Sequence, residues 1–293
     1  MLFLSQLVNG LQLGSIYALI ALGYSMVYGI IMLLNFAHGD VIMVGGYIAL
    51  FSLASGLHPA IAVALAISGC ALLAVTVEKL AYKPLRAAPR ISLLITAIGI
   101  SMLLQNLAQL FFSPNARSFL ASAIVPSESL AVMPGLNISV TALVTIAASV
   151  ASMAALTFLV HRTKMGKAMR AVSEDTGAAQ LMGIDVNKVI SFTFAIGAAL
   201  AGIGSILYCC RYPLVSPTMG ALPGLKAFVA AVFGGIGSIP GAMVGGFAIG
   251  FAEVLVTSNN LSNWTDGIVF AILIVILLFK PTGILGRSAM EKV

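Results

Sequence analysis

Four carboxylates, Asp40, Glu78, Glu253 and Asp266, sit within or beside long apolar runs. One short motif, Asn35-Phe36-Ala37-His38-Gly39-Asp40, groups an amide, an imidazole and a carboxylate within six residues. Such side chains in an apolar medium could relay protons, hold an ion or gate a polar solute. Glu78 precedes Lys79 in a basic stretch and Asp266 follows the polar Ser-Asn-Asn-Leu-Ser-Asn-Trp, so both are expected at a membrane edge. That leaves Asp40 and Glu253 as the candidates for burial, with Glu253 expected to take an ion pair or hydrogen bond from a neighbouring helix. For Asn35, His38 and Asp40 two readings stand: a satisfied structural cluster at a chain break, or the lining of a pathway. Gln105 and Asn106, isolated in an apolar run, are lesser candidates for the same role.

Other chemistry lacks its residues. There is no His-Glu-x-x-His pair, and three widely separated histidines do not suggest a metal site. Gly-Ile-Gly-Ser-Ile-Pro-Gly shares only glycines with a phosphate loop and lacks its lysine, and no Gly-x-Ser-x-Gly elbow occurs. Cys70, Cys209 and Cys210 lie in or beside apolar runs without ligand spacing and read as small core residues. No catalytic, cofactor-binding or metal-binding set is expected. If ATP drives this protein, another subunit must bind it.

The elements that position these residues are membrane helices. The composition is 60% hydrophobic and 8% charged, with a mean hydropathy of +1.09, more apolar surface than a soluble globule of 293 residues could hide. Apolar runs extend over about 8–36, 37–57, 60–81, 91–112, 138–160, 189–210, 226–257 and 266–280. The expected fold is all-α, one polytopic membrane domain over 1–293 with about eight transmembrane helices, some broken or re-entrant. Run 226–257 is too long for one span and is interrupted by Gly-Gly-Ile-Gly-Ser-Ile-Pro-Gly-Ala at 234–242, so it belongs in the protein interior.

The net charge of +6 does not point to nucleic acid here, because the basic residues are grouped. Lys79, Lys83, Arg86 and Arg90 form one cluster; Arg162, Lys164, Lys167, Arg170 and Lys188 a second; Lys280, Arg287 and Lys292 a third. The positive-inside bias puts all three in the cytoplasm and the loops at about 113–137 and 211–225 outside. Counting spans back from the first cluster places the N-terminus outside, or in the cytoplasm if the first segment is broken or re-entrant, with no later loop changed. Without a basic region or small-residue cleavage site, the first span is expected to target the chain rather than be removed.

Residues 161–188 form a 28-residue hydrophilic island with eight charged side chains, which must lie in water and suits a grip for a soluble partner. Ser173 is expected to cap a short helix whose first turn holds Glu174 and Asp175, with Gly183 ending it. Elsewhere Met43, Val44, Gly45, Gly46, Tyr47 and Phe51 recur in order as Met243, Val244, Gly245, Gly246, Phe247 and Phe251. This echo is either chance in a glycine-rich chain or a remnant of duplication that would set both Gly-Gly pairs near a pathway. Spacings such as Gly10 to Gly14 and Gly246 to Gly250 let helices approach closely, within the subunit or against a second one.

Residues 9–47, the island's Met-Gly-Lys-Ala-Met-Arg-Ala-Val-Ser-Glu-Asp-Thr-Gly-Ala-Ala-Gln-Leu-Met-Gly-Ile-Asp, the stretch 226–246 and Pro-Thr-Gly-Ile-Leu-Gly-Arg at 281–287 resemble the LivH-type permeases of bacterial ABC importers for branched-chain amino acids. The stretch 113–137 carries no recognised motif. The resemblance implies a non-enzymatic inner-membrane subunit that works with a second, LivM-like permease, two cytoplasmic ATPases and a periplasmic binding protein. It assigns ATPase coupling to Glu174, Asp175, Ala178, Ala179 and Gly183. It implies leucine, isoleucine or valine as substrate. Related permeases carry urea or short amides, and a stand-alone ion-coupled carrier is the alternative from another class. The pathway candidates are Asn35, His38, Asp40, Gly45, Gly46, Gly245 and Gly246.

Overall fold

A computed structural model describes residues 2–32, 35–86, 88–126, 128–133 and 136–286. Arg287 and Lys292 of the third basic cluster lie outside the described residues. The chain runs through α1 (Leu2–Ile31), α2 (His38–Ala54), α3 (Pro59–Val77), α4 (Arg90–Phe112), β1 (Arg117–Ser118), α5 (Ala121–Ile124), β2 (Ser129–Met133), β3 (Leu136–Ser139) and α6 (Val140–Arg162). It continues through α7 (Lys164–Glu174), α8 (Thr176–Leu181), α9 (Val186–Arg211), β4 (Leu214–Val215), α10 (Ala221–Gly234), α11 (Ile239–Ser258) and α12 (Thr265–Phe279). Helix α3 is prolonged by a π-helical turn, Glu78–Tyr82, and a 3-10 turn, Lys83–Leu85. The only strands among the described residues are short antiparallel ribbons, β2 with β3 and β1 with β4.

Seven helices among the described residues are long and apolar enough to cross a membrane, and the protein is a multi-pass membrane protein. Run 37–57 condenses into α2, 17 residues or roughly 25 Å, short of a hydrocarbon core of about 30 Å. Run 226–257 divides as expected, with Gly235 at φ +109° and Gly237 at φ +87° making the turn. Ser238 then caps α11 by accepting from the Gly241 N–H at 3.2 Å, and Pro240 occupies its first turn. Helix α10, however, starts at Ala221, inside the segment expected to be an outer loop. Lys226, at the start of the apolar run, has its charge neutralised within the fold by Glu253 and Asp266.

One end of the bundle, here the basic end, gathers the C-terminal ends of α1, α3, α6, α10 and α12 with α7 and α8. The Ile284 and Leu285 N–H groups donate to Phe233 and Gly234 carbonyls at 2.9 and 2.8 Å, and Gly29 meets Gly237, which ties the α1, α10 and α12 ends together. Helix α11 leaves this end antiparallel to α1, so that Gly14 faces Phe247 and Gly10 faces Phe251. Glycine permits the approach: a Cβ on Gly246 would collide with the backbone of Ala18.

Two halves of the chain repeat this arrangement. The order long, short, long in α1–α3 returns in α9–α11, each followed by a further span, α4 and α12, the latter 18 residues with the 3-10 turn Ser262–Trp264 before it. Helix α1 packs on α11 and α10 as α9 packs on α3 and α2, while α1 meets α9 and α2 meets α10 at the centre. The positional equivalent of α2 is therefore α10. The Gly45-Gly46 and Gly245-Gly246 echo joins α2 to α11, elements that are not equivalent.

Candidate functional site

The two short helices begin against each other. A Cβ on Gly39 would stand 2.6 Å from the Gly220 carbonyl oxygen, and one on Gly224 2.7 Å from the Gly39 Cα, so only glycines allow the contact. From there α2 runs away from the basic end, where Tyr47 stacks on Phe112 with ring centroids 4.7 Å apart. Helix α10 runs to the basic end. Each is a shortened helix, α2 of 17 and α10 of 14 residues, entered by non-helical backbone, residues around 35–37 and 216–220. Such backbone survives at membrane depth only inside protein or along a cavity.

The structure brings Asn35, His38 and Asp40 to the approach and first turn of α2, all buried. Asn35 Oδ1 accepts from the Tyr82 hydroxyl at 2.7 Å, anchoring the approach to the π-helical turn after α3. The His38 ring packs edge-on against Tyr24 at 4.7 Å and presses on Gly23, with no hydrogen-bond partner for Nε2 among the described residues. Asp40 accepts from Gln105 Nε2 of α4 at 2.9 Å and lies in the first turn of a helix without a side-chain N-cap, where the dipole favours negative charge.

Gly45 and Gly46 face inward at the next level. A Cβ on Gly45 would stand 2.8 Å from Cys70 Sγ, and one on Gly46 3.2 Å from Met219. The absent side chains let Cys70 and Ser205 reach the Val41 and Ile42 carbonyls, at 3.4 and 2.6 Å. Gly245 packs against the Ala230 carbonyl of α10, and Gly246 against α1. The three cysteines are buried and free.

Two carboxylates reverse or extend the sequence expectations. Glu78 is fully buried, not at a solvated edge: Arg86 pairs with it from the following turn, and the Ser191 hydroxyl of α9 donates to it at 2.6 Å. The π-helical turn rotates it inward. Glu253 accepts from Tyr17 of α1 at 2.8 Å and from Lys226 of α10 at 2.9 Å, and Lys226 also reaches Asp266 at 2.7 Å. Lys226 went unrecognised because it stands at the edge of an apolar run. A lone lysine so placed, two residues after Gly224, was the available signal.

At the basic end the island forms two helices, not one. Thr163 caps α7 through the Gly166 N–H at 3.0 Å, and Glu174 ends it. Asp175, rather than Ser173, caps α8, accepting from the Ala178 N–H at 2.9 Å, because Ser173 turns back to the Arg170 carbonyl. Gly183, at φ +81°, closes α8 as expected, with Gly183 and Ile184 N–H groups returning to Gln180 and Ala179 carbonyls. Helix α7 buries Met169 and Val172 against the bundle, and Ala179 is buried on α8. Glu174, Asp175, Ala178 and Gly183 are exposed. Leu181 and Met182 are 91% and 82% exposed on this otherwise hydrophilic segment. Asp185 caps α9, and the Lys188 N–H it accepts holds its carboxyl below the usual carboxylate range. No group of three potential ligands for a metal occurs among the described residues.

Known proteins share this sequence over nearly its whole length. Residues 6–278 match the model of the family described as branched-chain amino acid transport system / permease component. The high-affinity branched-chain amino acid transport system permease protein BraD of Pseudomonas aeruginosa is 42% identical, the alignment covering 99% of this chain and 98% of BraD. The corresponding protein LivH of Escherichia coli is 41% identical with the same coverage, and a probable branched-chain amino acid transport permease of Methanocaldococcus jannaschii is 32% identical over 93% of this chain and 89% of that protein. A bundle of membrane-spanning helices with two inward half helices and a capped hydrophilic handle thus carries the sequence of one family throughout, and the chain belongs to the branched-chain amino acid transport system permease components.

Proposed function

We propose that this permease is one of two membrane subunits of an ATP-driven importer for leucine, isoleucine or valine in a bacterial inner membrane. Its basic end faces the cytoplasm, in keeping with the positive-inside bias. A LivM-like permease completes the translocation path, two ATPases bind at the basic end, and a periplasmic binding protein delivers substrate at the other. The chain itself binds no nucleotide and carries out no catalysis.

The observation that carries this reading is α8. A two-turn helix capped at both ends by Asp175 and Gly183 holds Leu181 and Met182 in water, where large apolar side chains have no use without a partner. Glu174, Asp175, Ala178 and Ala179 build and orient that helix, so ATPase motion would reach the bundle through α7, which packs on α1, α6 and α9. The half-helix junction of Asn35, His38 and Asp40, with Gly45, Gly46, Gly245 and Gly246 fixing the helices around it, is the element proposed to shift. Gln105, Asn106 and Gln109 fall within an arc of about 100° on α4 and would line the path.

The test is co-purification in mild detergent, followed by reconstituted uptake. Two ATPases and a second permease should accompany the chain, and leucine uptake should require ATP and the binding protein. Uptake without the ATPases would replace this reading with that of an ion-coupled carrier. Rapid modification of Ala178→Cys from outside intact cells, in a cysteine-free background, would overturn the orientation.

A further inference from the structure

Neither the half-helix junction nor the handle uses the groove where the end of α3 meets the start of α9. It measures about 520 Å³ and is closed on one side by Met165 of α7. Its character changes along the helices. Lys79, Lys83 and Lys188 line the end nearest the basic surface, whereas Val75, Phe192 and Ala195 line the floor deeper in, by one to two helical turns. At about 1.5 Å per residue, Lys188 to Ala195 spans roughly 10 Å, the distance from a headgroup level into the acyl region.

The charges there are available. Glu78, the carboxylate nearest in sequence, is turned inward to Arg86 and Ser191. Lys188 pairs with Asp185 at 3.2 Å on the water side, and Lys79 and Lys83 make no ion pair among the described residues. The flank of α3 beside the groove is open, with Leu72 and Leu80 more than 70% exposed. In a membrane this face meets lipid, not water.

We propose that the groove binds an anionic phospholipid of the leaflet at the basic end. Its phosphate lies between the Lys79 and Lys83 ammonium groups, and an acyl chain follows Val75, Phe192 and Ala195. Basic pockets between membrane helices on the cytoplasmic side recognise such headgroups through the same division of charge and hydrocarbon. A soluble phosphate shares the headgroup chemistry but has nothing to lay along the apolar floor.

The experiment uses the assembled transporter in phosphatidylcholine nanodiscs supplemented with phosphatidylglycerol, with retained lipid read by native mass spectrometry. The parent should hold phosphatidylglycerol in preference to phosphatidylcholine. Lys79→Gln should weaken retention about 5-fold and Lys79→Gln with Lys83→Gln about 30-fold, at about 1 kcal/mol per surface lysine. Val75→Trp, which fills the floor and leaves the lysines in place, should also expel the lipid. Equal retention by the parent and the double variant would overturn the proposal, as would displacement by millimolar inorganic phosphate. ATP-driven uptake, measured on the same samples, reports separately on the transport reading.

Discussion

Glu253 of α11 is held by Lys226 of the half helix α10, with Oε1 and Nζ 2.9 Å apart and both side chains nearly buried. Because Lys226 also reaches Asp266 and Glu253 accepts from Tyr17, one ammonium joins α10, α11, α12 and, through the carboxylate, α1. Lys226→Met leaves a buried carboxylate without its cation and should destabilise the permease by about 3–5 kcal/mol. Lys226→Met combined with Glu253→Gln should be the less damaged protein, and Tyr17→Phe should cost about 1.5–3 kcal/mol. Thermal unfolding in detergent, run as a double-mutant cycle, measures all three.

Helix contact should make glycines unequal. Gly246→Ala drives a methyl into the Ala18 backbone of α1 and is expected to cost at least about 1–3 kcal/mol and most of the monodisperse yield. At Gly99, on the exposed side of α4, an added Cβ meets nothing within 4 Å, and Gly99→Ala should not destabilise the protein. Size-exclusion profiles of fluorescently tagged variants compare them directly.

The approach to α2 depends on one hydroxyl. Tyr82→Phe strands Asn35 Oδ1 in a buried site, at about 1–3 kcal/mol, and loosens the backbone that leads to His38 and Asp40. Uptake should fall more steeply than melting temperature. His38→Ala should lower both uptake and binding-protein-stimulated ATP turnover. Unchanged values for both would reduce this motif to scaffolding.

Substitutions on the handle should separate folding from coupling. Leu181→Asp and Met182→Asp alter exposed side chains and are expected to leave stability within about 0.5 kcal/mol while abolishing ATPase association. Glu174→Lys and Gly183→Arg should behave alike, although Gly183→Arg adds about 1 kcal/mol of local strain at positive φ. Pull-down of the ATPases together with insertion assays distinguishes the two effects.

The Asp185 cap should titrate. Its folded carboxyl is held below the usual range, so its contribution is present above the ordinary carboxylate pKa and is lost as pH falls through the depressed one. The first turn of α9 should therefore fray on acidification, and Asp185→Asn should remove that pH dependence while keeping the cap. Limited proteolysis near residue 188 across an acidic pH series reads this.

The long spans were legible in the linear chain because hydrocarbon demands uninterrupted apolar helices, and the boundaries of α4, α6 and α9 fall within a few residues of the runs. The break before α11 was legible for a related reason, since glycine and proline punctuate a helix wherever it lies. Glu78 was misplaced because its side depends on a π-helical turn that no hydropathy window detects. Lys226 escaped notice because its partners are 27 and 40 residues away. The cap of α8 falls on the Asp175 carboxylate, two residues after the expected Ser173, since serine can equally return to its own helix, as it does at Arg170.

By itself the sequence determined the solvent of the chain, the hydrophilic island and the sites where helices must stop, which follow from local composition and spacing, and its resemblance to known permeases along nearly the whole chain gave the family. Tertiary structure alone decided that α10 answers α2, that their first turns meet glycine to glycine, and which carboxylates find cations. Those outcomes depend on helices distant in sequence approaching within van der Waals contact, and contact of that kind is a property of packing.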